Sequence, residues 1–390
     1  MTTATHAWTR LAEGLVPELA EHAPAHDRKG TFVRESFALL RKHRMMSMLV
    51  PVELGGGGAS FADAANALRV LAHGCASTAL ALSMHTHVVA AAVWKHRQGK
   101  PTAPLLRRIA EEQLVLVSTG GTDWIDSVGT LRRVDGGYRL DARKVFASGS
   151  PEAAMLVTSA RFEDPERGAR VLHFALPFGA EGVRALDDWD TLGMRGTGSC
   201  TVLLEDVFVP DAAVQVDRPQ GEWHAAWSVV LRVAPPLYMA PYLGVAERAC
   251  AIARDVAARR GSEALVASRA GAMENELLAA RLAWRASVDA AQDLAFTPSL
   301  EAASAQLACK TLTHRSCRAA VDAAMVTAGG TGFFRRLPLE ACFRDVQGGH
   351  FHPLPEDRQV LFSGRLALDH DPIRNVPLAT ATPAPAPRVA

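Results

Sequence analysis

Apolar residues in the first part of the chain recur at spacings of three and four, as in Phe37 and Leu40 and again in Ala65, Leu68 and Leu71. That period predicts helices from about Trp8 to Glu112. The run Gly55–Gly58 interrupts them. Consecutive glycines can cradle a phosphate, but no Gly-Lys-Ser/Thr follows and no strand clearly precedes, so an interhelical turn is the better reading. From Gln113 to about Asp217 the period changes to two. Leu114–Val117, Tyr138–Leu140, Met155–Val157, Val171–Phe174 and Val202–Leu204 read as short strands, separated by turns such as Asp135-Gly136-Gly137. Strands without intervening helices predict an antiparallel sheet or small barrel. From Trp223 to Arg365 the helical period returns, over roughly Pro236–Arg259, Ala270–Ala295 and Ser299–Thr327, with a short last helix near Gln359–Leu368. Ser299 follows Pro298 and is suited to cap the third of these. Long amphipathic helices of this kind pack as a bundle. The expected fold class is therefore α+β and multi-domain. It comprises an N-terminal α-helical domain over 1–112, a middle antiparallel β-barrel or sheet domain over 113–218, and a C-terminal four-helix bundle over 219–371. A disordered Pro/Ala-rich tail is expected over 372–390.

At 390 residues, 48% of them hydrophobic, the chain is long enough for several units around a large core. Its 42 basic and 41 acidic residues nearly cancel. Nothing therefore marks a surface for nucleic acid or an anionic membrane, and the expected partner is a small-molecule substrate held in a pocket. The six cysteines form no CxxC pair. Cys309, His314 and Cys317 lie close together, but no second ligand pair follows, so no metal site is expected. Scattered cysteines fit a reducing, cytoplasmic setting. Met1 to Trp8 lacks the basic-then-apolar pattern of a signal peptide, and no apolar run approaches the ~20 residues of a membrane span.

Several segments make the helix–sheet–helix order specific. They are Leu49–Gly56 with its Pro-x-x-x-Gly-Gly turn, and Val134–Phe146, which contains Val-Asp-Gly-Gly-Tyr. Leu192–Ser199 follows, running on to Leu204–Pro210, and then Gly329–Phe333 with Leu337–Glu340 and Phe343–Asp345. In this order and at these spacings they resemble the acyl-CoA dehydrogenase family, from about residue 30 to 370. The resemblance implies the acyl-CoA dehydrogenase fold, flavin bound between the β-domain and the C-terminal bundle, and a homotetramer or homodimer. It also implies cofactor contacts. A shortened loop, Ser118-Thr119-Gly120-Gly121-Thr122-Asp123, stands where the family has its first flavin loop, which makes Ser118, Thr119, Gly121 and Thr122 candidates. Small residues there let backbone N–H groups approach the ring edge and phosphates. In Phe146-Ala147-Ser148-Gly149-Ser150, Phe146 would cover the ring and the Ser148 hydroxyl would donate near N5. Gly329 and Gly330 would contact the flavin of a neighbouring subunit. Of the family's Arg-x-x-Phe-Gly only Arg260 is kept, so the cofactor is FAD or FMN.

An acyl-CoA dehydrogenase removes a proton alpha to a thioester while hydride leaves the beta carbon, and the family supplies a Glu with a burial-tuned pKa as base. Counted from Arg344, that position is Pro353, and Arg365 anchors the count at the far end. A subgroup supplies the Glu from the first bundle helix, near Ala234, where Arg232 is the nearby titratable residue. Glu356 and Asp357 fall where side chains cap the final helix. The segment instead reads Gly348-Gly349-His350-Phe351-His352-Pro353, and a second pair, His85 and His87, lies on an N-terminal helix whose wall closes the same pocket.

This combination resembles the two-component flavin monooxygenases that share the fold. It implies Ser148, His85, His350 and His352 as catalytic residues, and flavin supplied reduced by a separate reductase. Dioxygen then gives a C4a-hydroperoxide that must be kept from water and supplied with hydrogen bonds. A histidine can also deprotonate a phenol or amine substrate. Each histidine taken alone also fits a satisfied core or surface position. Trp124, Trp189, Trp223 and Trp227 are candidate pocket walls, with core packing the commoner use. No Rossmann fingerprint for NAD(P)H is present. Two other readings stay open: an acyl-CoA dehydrogenase with a relocated base, and an inactive scaffold that binds flavin or acyl groups.

Overall fold

The computed structural model describes residues 6–120, 125–259, 263–374 and 376. The candidates Gly121, Thr122, Trp124 and Arg260, and most of the expected tail, lie outside the described residues.

Helices α1 (Ala7–Lys29), α2 (Arg34–Lys42), α3 (Phe61–Gly74), α4 (Ala76–Arg97) and α5 (Ala103–Glu112) form the N-terminal unit. Ser60 caps α3 by accepting from the Asp63 N–H at 3.2 Å. Asp63 itself accepts from the Trp8 and Thr9 N–H groups at 3.0 Å each, which fastens α1 to α3. The Gly55–Gly58 run is an interhelical turn so tight that a Cβ on Gly56 would meet the Val50 carbonyl oxygen at 2.2 Å.

Eight strands follow: β1 (Leu116–Ser118), β2 (Thr130–Val134), β3 (Gly137–Ala147), β4 (Met155–Asp164), β5 (Gly168–Pro177), β6 (Val183–Ala185), β7 (Cys200–Pro210) and β8 (Val214–Pro219). They form an open sheet in the order β6-β7-β3-β2-β4-β5-β8, with β1 beside β4. It is a sheet and not a closed barrel. Most pairs are antiparallel, but β1 and β2 each run parallel to β4, because neither reaches β4 through a hairpin. The long β3–β7 pair slips register between Lys144 and Ala147. Inside that slip Phe146 takes φ = 60°, a conformation a bulky residue adopts only where its surroundings impose it.

The C-terminal unit contains α6 (Ala225–Ala258), α7 (Ala264–Ala290), α8 (Leu300–Ala328), α9 (Leu339–Val346) and α10 (Glu356–Ala367). Ser299 caps α8, accepting from the Ala302 N–H at 3.1 Å. Helix α6 starts at Ala225 rather than at Pro236 and runs through Pro235, Pro236 and Pro241. Proline forfeits helical hydrogen bonds and usually ends a helix. Here almost the whole middle of α6 is buried against α3, α4, α7 and α8, and that packing outweighs the cost. Both α4 and α6 are apolar and long enough to cross a membrane by composition, but those stretches are 78% and 89% buried, as core helices are.

A buried carboxylate ties the two helical units together. Glu247 of α6 accepts from Arg69 at 2.5 Å and from Arg281 at 2.9 Å, and lies 3.0 Å from His73 Nε2. Burial opposes its charge, yet His73, Arg69 and Arg281 hold the carboxyl at about 2.

Candidate active site

A cavity of about 480 Å³ lies where α4, the end of β1, the β3 bulge, the loop before β7, α6 and the turn after α9 converge. Its sheet-side wall holds Ser118, Gly120, Phe146, Ser148, Trp189 and Ser199. The opposite wall holds Leu80, Met84 and His87 from α4, and Trp227, Val230, Leu231, Ala234, Tyr238 and Tyr242 from α6. The spacings of three and four in the α6 set put those residues on one helical face. Gly348, Phe351, His352 and Pro353 close the end.

The bulge brings Phe146 and Ser148 to the cavity side of the sheet. Phe146 is 45% exposed and meets Trp189 edge-on at 6.1 Å. Ser148 begins a relay of hydroxyls. Its Oγ lies 2.7 Å from Ser199 Oγ, which lies 2.8 Å from Thr197 Oγ1, which donates to the Met194 carbonyl at 3.0 Å. A carbonyl only accepts, so Thr197 spends its proton there, Ser199 spends its proton on Thr197, and Ser148 spends its proton on Ser199. The Ser148 oxygen therefore faces the cavity as an acceptor, and not as the donor that the resemblance implies.

His352 is held by two tyrosines one turn apart on α6. It stacks on Tyr238 with ring centroids 4.5 Å apart, and its Nε2 lies 2.8 Å from the Tyr242 hydroxyl. Tyr238 donates to the Pro353 carbonyl at 2.9 Å. Lys310 of α8 donates to the Leu354 carbonyl at 2.8 Å and pins the same turn. Burial, then Lys310 and His314, pull the His352 imidazole down to about 3, so it is neutral at ordinary pH. Burial raises both tyrosines. The Gly348-Gly349 pair allows this packing: a Cβ on Gly349 would lie 2.2 Å from the His314 ring.

The histidine pairs split. His85 lies away from the cavity, its Nε2 2.8 Å from the Met46 carbonyl and its Nδ1 accepting from the Leu116 N–H at 3.0 Å. Both ring nitrogens are thus engaged in fastening α4 to its neighbours. His87 faces the cavity instead, with Nε2 3.4 Å from Ser118 Oγ, and burial pulls it down to about 4 against the opposing Ser83 carbonyl. His350 is turned outward and accepts from Arg318 at 2.9 Å.

Of the cofactor candidates, Ser118, Phe146 and Ser148 line the cavity. Thr119 does not, its hydroxyl lying 2.6 Å from that of Thr158. Gly329 and Gly330 lie in a turn after α8, away from this cavity, and nothing lies within 4 Å of a Cβ built on Gly330.

No Asp or Glu is among the described residues that line the cavity. Glu356 is paired with Arg315 at 2.7 Å, and Asp357 is exposed. The cavity's guanidinium, Arg344, is fully occupied. Asp27 accepts two of its N–H bonds at 2.9 and 2.6 Å, Glu340 two at 2.7 and 3.1 Å, and the Leu192 carbonyl one at 3.1 Å. Sequence reasoning missed Tyr238, Tyr242 and Ser199. The i, i+4 spacing of the tyrosines was the available signal.

An apolar slot between aromatic rings, with a hydroxyl relay at one edge, fits the ring system of a flavin. The comparisons agree. The chain matches the family models for acyl-CoA dehydrogenase over its N-terminal domain (residues 9–112), middle domain (118–207) and C-terminal domain (237–354). It is 31% identical to the amino sugar nitrososynthase DnmZ of Streptomyces peucetius, over 92% of each chain. It is 29% identical to an L-evernosamine nitrososynthase of a Micromonospora, over 95% of this chain and 92% of that protein. Among solved structures, KijD3 in complex with FMN and dTDP-3-amino-2,3,6-trideoxy-4-keto-3-methyl-D-glucose superposes with a TM-score of 0.86, at 28% identity and 94% coverage of both chains.

Proposed function

Since this chain belongs to the acyl-CoA dehydrogenase family and is a flavin-dependent oxidoreductase, we propose that it is a monooxygenase using reduced FMN and dioxygen on a small-molecule substrate. The observation that carries this reading is the replacement at the substrate end of the cavity. Pro353 stands where the resemblance puts the family's base, no described carboxylate lines the cavity, and the neutral imidazoles of His87 and His352 do. A thioester dehydrogenation needs a carboxylate beside the alpha carbon, and Glu356 is committed to Arg315.

Reduced flavin, when bound, supplies the electrons that activate dioxygen. The chain's own residues do the rest. Ser118, Phe146 and Ser148 hold the ring side, with the Ser148 oxygen accepting a hydrogen bond. The α6 face and Trp227 exclude water. His352, oriented by Tyr238 and Tyr242, and His87, on the α4 side, are neutral imidazoles that hydrogen-bond the substrate. We assign the supply of reduced FMN to a separate reductase, and the cell compartment to the cytoplasm, where the unpaired cysteines stay reduced. The exposed Phe333, at 85%, and Phe334, at 54%, beside the Gly329-Gly330 turn support a homodimer or homotetramer in which that turn meets a neighbouring subunit.

Mixing the protein and reduced FMN with dioxygen in a stopped-flow spectrometer is expected to give C4a-hydroperoxide absorbance that outlasts free-flavin oxidation. If reduced flavin is oxidised as in free solution while an acyl-CoA bleaches bound flavin anaerobically, the reading is wrong. A His352→Ala variant with unchanged oxygenation would remove His352 from the site.

A further inference from the structure

We propose that Asp345 on α9 is a positioning residue for the sheet-side wall of the cavity. Its carboxylate holds Met194 in a left-handed conformation, which aims the Met194 carbonyl at Trp189 and at the hydroxyl relay that ends on Ser148. The inference rests on the monooxygenase reading, in which Ser148 stands beside the flavin ring.

Helix α9 grips the loop before β7 at three consecutive residues. The Arg344 guanidinium donates to the Leu192 carbonyl at 3.1 Å. Gly193 packs so closely that a Cβ there would meet the Arg344 carbonyl oxygen at 2.2 Å. The Met194 N–H donates to Asp345 Oδ1 at 2.6 Å. Met194 has φ = 53°, which a side chain of its size adopts only where its surroundings impose it. The carbonyl that this conformation turns towards the cavity wall accepts from three donors. They are Trp189 Nε1 at 3.1 Å, Thr197 Oγ1 at 3.0 Å and the Thr197 N–H at 3.2 Å. Trp189 meets Phe146 edge-on, and Thr197 sets the direction of the relay through Ser199 to Ser148. One carbonyl therefore fixes both the aromatic and the hydroxyl part of this wall. Asp345 does not itself line the cavity, so it acts through Met194. Without an acceptor at Asp345, the Met194 N–H loses its bond and the strained turn loses what holds it. Met194 then relaxes, its carbonyl turns away, and the Ser148 hydroxyl is no longer fixed as an acceptor.

A double-mutant cycle between Asp345 and Ser148 tests this, read both as oxygenation with reduced FMN and as FMN affinity by fluorescence titration. Asp345→Ala and Ser148→Ala are each expected to lower oxygenation and to weaken FMN binding about tenfold. The double variant is expected to lose about tenfold as well, where independent losses would give about a hundredfold. Asp345→Asn keeps an acceptor oxygen without the charge, and is expected to restore both quantities to within about threefold of the parent. If Asp345→Ala does not fold, Asp345→Leu, which has nearly the same shape and no acceptor, takes its place in the cycle. Independent losses, an Asp345→Asn as impaired as Asp345→Ala, or an unimpaired Asp345→Ala would each overturn the inference while leaving the monooxygenase reading intact. A Ser148→Ala that changes neither quantity would instead overturn the placement of Ser148 beside the flavin, so the two failures are distinct.

Discussion

Buried histidines make this protein acid-sensitive well above the pH at which carboxylates titrate. Burial pulls His85, His87 and His314 down to about 4, and His173 and His352 to about 3, from an ordinary 6.5. A lowered histidine is neutral in the folded chain while the unfolded chain takes up a proton. Its contribution is therefore intact above pH 6.5, is lost progressively as pH falls below 6.5, and stops changing once pH passes the folded value. At pH 5 each of these histidines costs about 2 kcal/mol relative to pH 8. Asp345, raised to about 6 by burial, works in the opposite direction and returns about 1.4 kcal/mol over the same interval. The net loss, on the order of 8 kcal/mol, is comparable with the whole stability of a typical fold. Scanning calorimetry from pH 7.5 to 5.5, where the net loss is about 6 kcal/mol, should show the unfolding midpoint falling by about 7 °C. A His173→Gln variant should flatten the dependence of stability on pH by about 1.4 kcal/mol per pH unit between 4 and 6. A midpoint constant within about 3 °C across that range would mean that these rings are solvated or charge-paired, and the reasoning would fail.

Glu247→Gln should destabilise the protein by about 3 kcal/mol at pH 7.5, the value of holding the carboxyl at about 2 instead of 4.5, read as a lower unfolding midpoint. That contribution is present above pH 4.5 and disappears from the parent as pH falls towards 2. Gly349→Ala should cost about 1–3 kcal/mol, because its methyl meets the buried His314 ring at 2.2 Å; an unchanged midpoint would show that the turn yields freely. Ser148→Ala should lower oxygenation at least about tenfold while costing only about 1 kcal/mol of stability, measured by stopped-flow and thermal unfolding together. Pro353→Glu should not produce anaerobic bleaching by an acyl-CoA: the new carboxyl would sit beside a neutral imidazole and a fully occupied Arg344, where burial keeps it protonated.

The change of hydrophobic period was enough to locate both helical units and the sheet, because each period states how many faces an element buries. It did not reveal closure or strand direction. Those depend on how the chain travels between β1, β2 and β4, and loops carry no period. The start of α6 was misjudged for a related reason. Pro235 and Pro236 signal a helix end locally, while the burial that overrides them comes from four other helices distant in sequence.

At the site the limit was phase. His85 and His87 are two residues apart on a helix, so their side chains point about 200° apart and only one can face a given wall. Helix α4 is apolar on nearly every side, so no polar stripe says which. His350 and His352 would share a face in an extended segment, but residues Gln347–Phe351 coil into a 3-10 turn and send them to opposite sides. That turn depends on Gly348 and Gly349 packing against Tyr242 and His314, contacts that span more than the local sequence. The Pro353 backbone carbonyl is the acceptor that fixes Tyr238, and Tyr238 is the surface on which His352 stacks. The position of His352 is set by its supports, so the residues that shape this end of the cavity are spread over α6, α8 and the turn after α9, not confined to the motif in which the histidine appears.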